Sequence, residues 1–302
     1  MVFLPAHYLE RSCALNVEAE SNKIAQANVM AILVNWRQPQ RTIEAARALA
    51  RQSVNVTVVV VDNGSDDDSV ELLRAALPNI LVITRDSNGG FGAGCNAGIK
   101  YAAAKNIDYV WLINNDAIAD QHCLEHLLAQ AVKDPQVGVV GVRIREPNGT
   151  IEDHAGCAMN PITLHCRYTM SEADMVESRF AWITGASMLL SMRALQKIGT
   201  FDEGYFMYWE DADICHRLRQ AGFTMAIAKD AVVEHLAGTS SNQMSLQRYQ
   251  WHMKSQLRWI NKYYIFKPYG VMVLYMRHII KSIFTLNWKR LQMSLKVAVN
   301  KV

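Results

Sequence analysis

Val56-Thr-Val-Val-Val-Val-Asp-Asn-Gly-Ser65 sets an almost unbroken apolar run directly before an acid and an Asn-Gly turn. A run of this kind, lacking polar alternation, reads as a strand covered on both faces. Upstream, Val29-Met-Ala-Ile-Leu-Val34 is a second such strand, and a helical pattern at Ile43, Ala46, Leu49 and Ala50 separates the two. Downstream come helix signals over Val70–Leu77, strand Ile80–Ile83, helix Asn96–Ala104 and strand Tyr109–Ile113. Apolar strands alternating with amphipathic helices predict an α/β fold, a mostly parallel central sheet with helices on both faces. Beyond about residue 143 the pattern loosens, with Pro147, Gly149, Gly156 and Pro161 marking loops. Order resumes around Trp182–Leu190 and in a helix near Asp211–Ala221.

In such sheets ligands bind outside the carboxyl ends of the strands. The polar clusters sit there: Asn35-Trp36, Asp62 to Asp66, Arg85 to Gly94, and Asn114-Asn115-Asp116. Four loops are expected to line one cleft. The Asp62 carboxylate can accept hydrogen bonds from a base imide or a ribose hydroxyl, or simply cap a turn. Gly89-Gly-Phe-Gly-Ala-Gly94 looks like a dinucleotide loop, but it follows the third strand and Asp108 precedes the next strand instead of ending it, which argues against NAD. Asp116 ends a buried strand and presents a hard oxygen ligand suited to Mg²⁺ or Mn²⁺; an Asx turn explains it equally. Trp209-Glu-Asp-Ala-Asp213 mixes adjacent carboxylates with aromatics at a helix start. That is costly to hold without a task, although acids also favour helix N-termini. His122, Glu125 and His126 read as a solvated helix face.

With these residues quoted, the chain resembles the family 2 glycosyltransferases, specifically their bacterial rhamnosyltransferase-like branch. The resemblance spans about residues 28–240. It rests on Val34-Asn35, Val60-Val-Asp-Asn-Gly-Ser65, Asn88-Gly-Gly-Phe-Gly92, Asn96-Ala-Gly98, Leu112-Ile-Asn-Asn-Asp116, Thr184-Gly-Ala186, Gly199-Thr-Phe-Asp-Glu203, Phe206-Met-Tyr-Trp-Glu-Asp-Ala-Asp213, Arg217-Leu-Arg219 and Val233-Glu-His235, in that order. It implies a GT-A fold and an inverting, metal-dependent transfer of sugar from a nucleotide diphosphate to a hydroxyl. Val34, Asn35, Asp62, Asn63, Arg85, Asn88, Gly89, Asn96, Asn114 and Asn115 would then line the donor nucleotide. Asp116 and His235 would hold Mn²⁺ or Mg²⁺, and Asp211, beside Glu210, would be the general base. Trp182, Thr184, Gly185 and Trp209 would border the acceptor, while Asp202 and Glu203 look structural. Asn114 stands where the family's D-x-D motif usually begins with Asp. The resemblance favours dTDP-rhamnose as donor and a glycan or polyprenyl-linked glycan as acceptor, in lipopolysaccharide or O-antigen synthesis. Another dTDP- or UDP-sugar, or an inactive sugar-nucleotide-binding scaffold, is the alternative.

The 302 residues divide into an irregular extension (1–27), a catalytic domain (28–243, with a nucleotide half to 116 and an acceptor half from 117) and a C-terminal segment (244–302). Net charge is +3, yet eleven Lys or Arg and no acid follow Glu234, so the first 234 residues sum to −8. Met272, Tyr275, Ile279, Ile280 and Ile283 fall at helical spacing with Arg277 and Lys281 alongside. A basic amphipathic helix of this kind suits the surface of an anionic bilayer, and a helix packed on the body is the alternative. Nucleic acid is not an expected partner, because the cleft carboxylates would repel its phosphates. Six scattered cysteines without a C-x-x-C pair suit reduced thiols. No signal peptide is recognisable and no run approaches a membrane span, which places the expected protein in the cytoplasm, peripheral on the inner face of the membrane.

Overall fold

The computed structural model describes residues 19–146, 153–235, 245–285 and 287–299. Four parallel strands, β1 (Val29–Asn35), β2 (Thr57–Asp62), β3 (Leu81–Thr84) and β4 (Tyr109–Asn114), form the first half of an eight-stranded sheet. Ile32 of β1 lies between Val59 of β2 and Leu112 of β4. The rest comes from β5 (Ala117–Ala119), β6 (Val137–Arg145), β10 (Ser187–Ser191) and β11 (Thr224–His235), in the order β3-β2-β1-β4-β10-β6-β11-β5. Only β10 and β5 run against the others.

The first strands are apolar throughout because both faces are covered. Helices α2 (Pro39–Leu49), α3 (Ser69–Ala76) and α5 (Cys123–Ala131) bury Leu49, Leu73 and Leu128 against one face. Helix α4 (Phe91–Ala103) lays Cys95, Ile99 and Ala102 on the other. Chain direction diverges at β1: β2 and β3 lie to one side and β4 to the other, which opens a crevice at their carboxyl ends.

Several expectations need correction. Residues 19–26, expected to be irregular, are helical (α1). Helix α4 begins at Phe91, five residues before Asn96. Gly156, expected in a loop, lies in β7 (Gly156–Met159), which with β8 (Cys166–Thr169) and β9 (Ala181–Ile183) makes a second sheet in the order β8-β7-β9. Strands of three or four residues are too short to show periodicity, so they read as loop. The expected turns at Pro147 and Gly149 lie outside the described residues. The short strand expected at Val232–Glu234 is the end of twelve-residue β11.

Helix α6 (Glu172–Glu177) follows β8, and α7 (Met192–Ile198) and α8 (Glu210–Gln220) flank the catalytic half. The C-terminal segment forms α9 (Leu246–Tyr263), α10 (Lys267–Phe284) and α11 (Trp288–Val299), packed on one another. Leu257, Trp259 and Ile260 of α9 join the core of the catalytic body, so this helix is packed rather than free. The outward side of α10 keeps Met272, Met276, Ile280, Ile283 and Phe284 exposed. Among the described residues no helix is long and apolar enough to cross a membrane.

Helix α4 lies so close on β1 that a Cβ on Gly98 would stand 2.6 Å from Ile32 Cγ2, inside van der Waals contact. Ile32 is 1% exposed and has nowhere to move. Gly98→Ala should therefore destabilise by about 1–3 kcal/mol, as overpacking does, and Ile32→Val, which removes the Cδ1 that would stand 2.9 Å from the same Cβ, should recover part of the loss in the same background. Urea midpoints of the two variants and their double mutant check this; an unchanged midpoint in Gly98→Ala refutes the close packing.

Candidate active site

The carboxyl ends of β1 and β2 carry a closed polar chain. Asn115 Nδ2 donates to Thr42 Oγ1 (3.0 Å), which donates to Asn35 Oδ1 (2.7 Å). Asn35 Nδ2 in turn donates to Asp62 Oδ2 (2.8 Å). The Ser65 hydroxyl and backbone N–H donate to the two Asp62 oxygens at 2.7 and 3.0 Å. Asn35 and Asp62 are almost fully buried and lock the two strand ends together. The Asp62 carboxylate has further lone pairs for a ligand.

The Arg85–Gly90 loop closes over this floor. Arg85 Nη1 donates to Asn63 Oδ1 (2.7 Å), and Asn63 Nδ2 donates to Asn88 Oδ1 (3.0 Å) and the Gly90 carbonyl (2.9 Å). Gly89 passes beneath the Arg85 guanidinium, and Val34 packs against Gly94. Gly90 has φ +90° and abuts the Phe206 carbonyl, where any Cβ would collide. This glycine therefore joins the nucleotide half to the segment before Glu210 and Asp211. Asn96 has another task than the one expected: its amide bonds the Phe201 backbone in both directions and Glu203 Oε1, bracing the 201–203 loop.

Asp116 and His235 meet because β5 pairs antiparallel with β11, setting His235 opposite Ala117. His235 Nε2 lies 3.1 Å from Asp116 Oδ1 and 3.2 Å from Asn114 Nδ2. Arg41 stands 3.7 Å from Asp116 Oδ2. Burial pushes the Asp116 pKa up, but His235, backbone N–H groups and Arg41 outweigh it and hold it below its usual value. Among the described residues no cluster of three or more His, Cys, Asp or Glu could cage a metal alone. A carboxylate and an imidazole nitrogen converging on one point still fit Mn²⁺ or Mg²⁺ when substrate phosphates complete the shell. Sequence reasoning missed Arg41. Its signal was a cation in the first turn after the first strand.

Tyr208 and Trp209 adopt left-handed φ of 69° and 70° in succession, a strained approach to α8. It sets Asp211 against Gly185 and buries Glu210 beside Gly92. The Gly185 N–H donates to Asp211 Oδ2 (3.0 Å), and the Trp182 side chain also bonds this carboxylate. Thr184, one residue before, is fixed in the β9–β10 turn by its N–H to the Ala155 carbonyl (3.0 Å). Trp182 and Gly185 thus lie against Asp211. Trp209, expected on the acceptor side, is instead 5% exposed and packed against Trp182, Trp259 and His252. Burial raises the pKa of both Glu210 and Asp211, and the Asp211 charge raises Glu210 further.

Behind them, fully buried Asp213 binds Arg217 Nε (2.8 Å), Lys262 Nζ (2.6 Å) and Tyr263 OH (2.7 Å). Asp202 binds Arg258 and Lys262 and is structural, as its sequence context suggests. Burial raises its pKa, yet Lys262, the Gly204 N–H and Arg258 bring it down to about 2.

Residues 27–261 match the family described as Glycosyltransferase like family 2. The chain belongs to glycosyltransferase family 2. It is 27% identical over 225 residues to N-acetylglucosaminyl-diphospho-decaprenol L-rhamnosyltransferase of Mycobacterium tuberculosis, covering 66% of this chain and 73% of that one. It is 33% identical over 79 residues to rhamnosyltransferase WbbL of Escherichia coli K12, covering 26% of this chain and 30% of that one. Among solved structures it is similar to mannosyltransferase PcManGT of Pyrobaculum calidifontis in complex with GDP-Man and Mn²⁺. There the TM-score is 0.55 at 15% identity, over 95% of this chain and 82% of that one. The fold is GT-A, and this family 2 member is a transferase.

A buried base protonates more readily than an exposed carboxylate, so transfer should fall off on acidification at a pH above the ordinary carboxylate value of about 4. The acid limb of kcat/KM, measured on the intact chain, checks this. A limb at or below about 4 shows that the essential base is solvated.

Proposed function

We propose that this family 2 enzyme is an inverting rhamnosyltransferase, moving rhamnose from dTDP-rhamnose onto a hydroxyl of a polyprenyl-diphosphate-linked glycan in cell-surface polysaccharide synthesis. The observation that carries the reading is Asp211, oriented by Gly185 and Trp182 at the head of α8 and facing a cleft built from the strand ends. The rhamnosyl donor and the lipid-linked acceptor draw support from the mycobacterial relative's name.

The donor base and ribose sit on the Asn35–Asp62 floor under Arg85 and Asn88. Asp116 and His235 are the residues that would hold Mn²⁺ or Mg²⁺, and such a cation supplies neutralisation for charge on the departing diphosphate. Asp211 accepts the proton of the acceptor hydroxyl as its oxygen bonds the anomeric carbon and the carbon–phosphate oxygen bond breaks. One base opposite the leaving group gives a single displacement and inversion. Glu210, more buried and more easily protonated, keeps that region short of a second full negative charge. The exposed apolar end of α10, Ile283 and Phe284 with Lys281 beside them, seats the enzyme on the anionic inner face of the membrane.

Asp211→Asn should lower transfer by ~10²–10⁴-fold, the usual loss of a general base, with donor affinity little changed. Single-turnover transfer and dTDP-sugar titration measure the two quantities; transfer within a few-fold of wild type removes Asp211 from the role. Excess chelator should abolish activity, and Asp116→Ala should weaken donor binding as well as turnover. Full activity in chelator shows that Arg41 and neighbouring cations carry the diphosphate unaided.

A further inference from the structure

At the end of the β7–β8 hairpin farthest from Gly156 and Thr169, an open groove of about 570 Å³ separates the hairpin tip from α10. Ile162 and Thr163 form one wall, and Tyr269, Met272, Met276 and Ile280 the other. The tip is tied to the helix by Tyr269 OH donating to the Ile162 carbonyl (3.1 Å) and Arg277 Nη1 to the Thr163 carbonyl (3.2 Å). The groove is therefore a built feature of two elements. Its walls are mostly apolar, with Thr163, Tyr269 and His165 as neutral polar residues and Arg277, which makes no ion pair among the described residues, as the one full charge in the lining.

The hairpin links this groove to Asp211, the proposed general base. Cys157 of β7 pairs with both Trp182 of β9 and Tyr168 of β8, so the three side chains share one face. Trp182 bonds Asp211, which puts that face beside the base. Two residues farther along, Met159 pairs with Cys166, a rise of about 7 Å at ~3.3 Å per residue. Beyond it lies the tip that walls the groove. Cys166 lies on β8 between Tyr168, on the Asp211 side, and the tip whose Thr163 carbonyl accepts from Arg277.

We propose that the groove binds the lipid diphosphate of the acceptor: the first isoprene units lie between Ile162 and the Met272–Met276–Ile280 row, and Arg277 holds the diphosphate. The proposal rests on the glycosyltransferase reading and adds the place where the acceptor is recognised. Charge decides the occupant. Arg277 is exposed at the mouth of the groove and free of an ion pair among the described residues, and its planar guanidinium matches two phosphate oxygens of one diphosphate. No acid follows Glu234 in the sequence to compete for it. A diphosphate there leaves the attached sugar to reach back along the Tyr168–Cys157–Trp182 face to Asp211.

The test uses the full chain and farnesyl diphosphate below its micelle concentration, followed by calorimetry without donor, acceptor or vesicles. Saturable binding is expected, weakened at least tenfold by Arg277→Gln and by Met276→Glu, with inorganic diphosphate and farnesol each binding at least tenfold more weakly than the conjugate. dTDP should bind all three proteins alike, which shows that the variants fold and keeps the result separate from the donor site. Farnesyl diphosphate that is displaced by dTDP, or that binds both variants as well as wild type, overturns the proposal. Binding only when vesicles are present also overturns it, showing that the Met272–Ile280 face meets a bilayer surface instead of lining an acceptor groove. Because the readout is binding, absence of rhamnosyl transfer refutes the donor assignment and leaves the groove result standing.

Discussion

A carboxylate with no access to water governs how the two ends of this molecule are joined. Asp213 is fully buried, and a buried charge is tolerated only when its lone pairs are filled by good donors. Arg217 supplies one donor from α8 itself, but Lys262 and Tyr263 come from the C-terminal helix α9. The basic C-terminal segment is thus part of the catalytic body. Its first helix neutralises the acid two residues beyond Asp211, and Ser255 adds a bond to the Met207 carbonyl just before the strained turn. Burial of Trp209 and Trp259 against each other completes the joint.

The same segment is held from the opposite side by a close backbone approach. Gly90, in the left-handed region, lets the loop after β3 sit on Phe206, and the Phe91 N–H donates to the Phe206 carbonyl (3.2 Å). Nucleotide floor, catalytic turn and C-terminal helix therefore form one stack. A side chain at position 90 would separate the first two, and loss of the Lys262 ammonium would loosen the last two. Rigid support on both sides fixes where Asp211 stands, as the proposed role of a base requires.

What the sequence revealed follows from the range of the interactions involved. Strands β1, β2 and β4 carry their burial in their own composition, and the acids at their ends are visible as breaks in apolar runs. Asp116 and His235 are separated by more than a hundred residues and meet only through the β5–β11 register, so their partnership came from a family pattern. The resemblance implies Trp209 on the acceptor side; the left-handed turn that sends it inward is a tertiary constraint with no local signal. Asn96 likewise stands in the right motif, but its partner is a loop a hundred residues away. The second sheet is not legible in the sequence because its strands, of three or four residues each, are too short to show a period.

The cysteines lend themselves to a different use. All five in the described residues, Cys95, Cys123, Cys157, Cys166 and Cys215, are free, and burial pushes every thiol upward, Cys166 to about 11 and Cys215 to about 12. Since the thiolate is the reactive form, the folded enzyme presents little of it to an alkylating reagent at neutral pH. Modification then counts openings of the structure. Cys95 under the nucleotide floor and Cys157 on the β7 face would report separately on the two halves of the cleft, giving the native enzyme a clock for its own local unfolding.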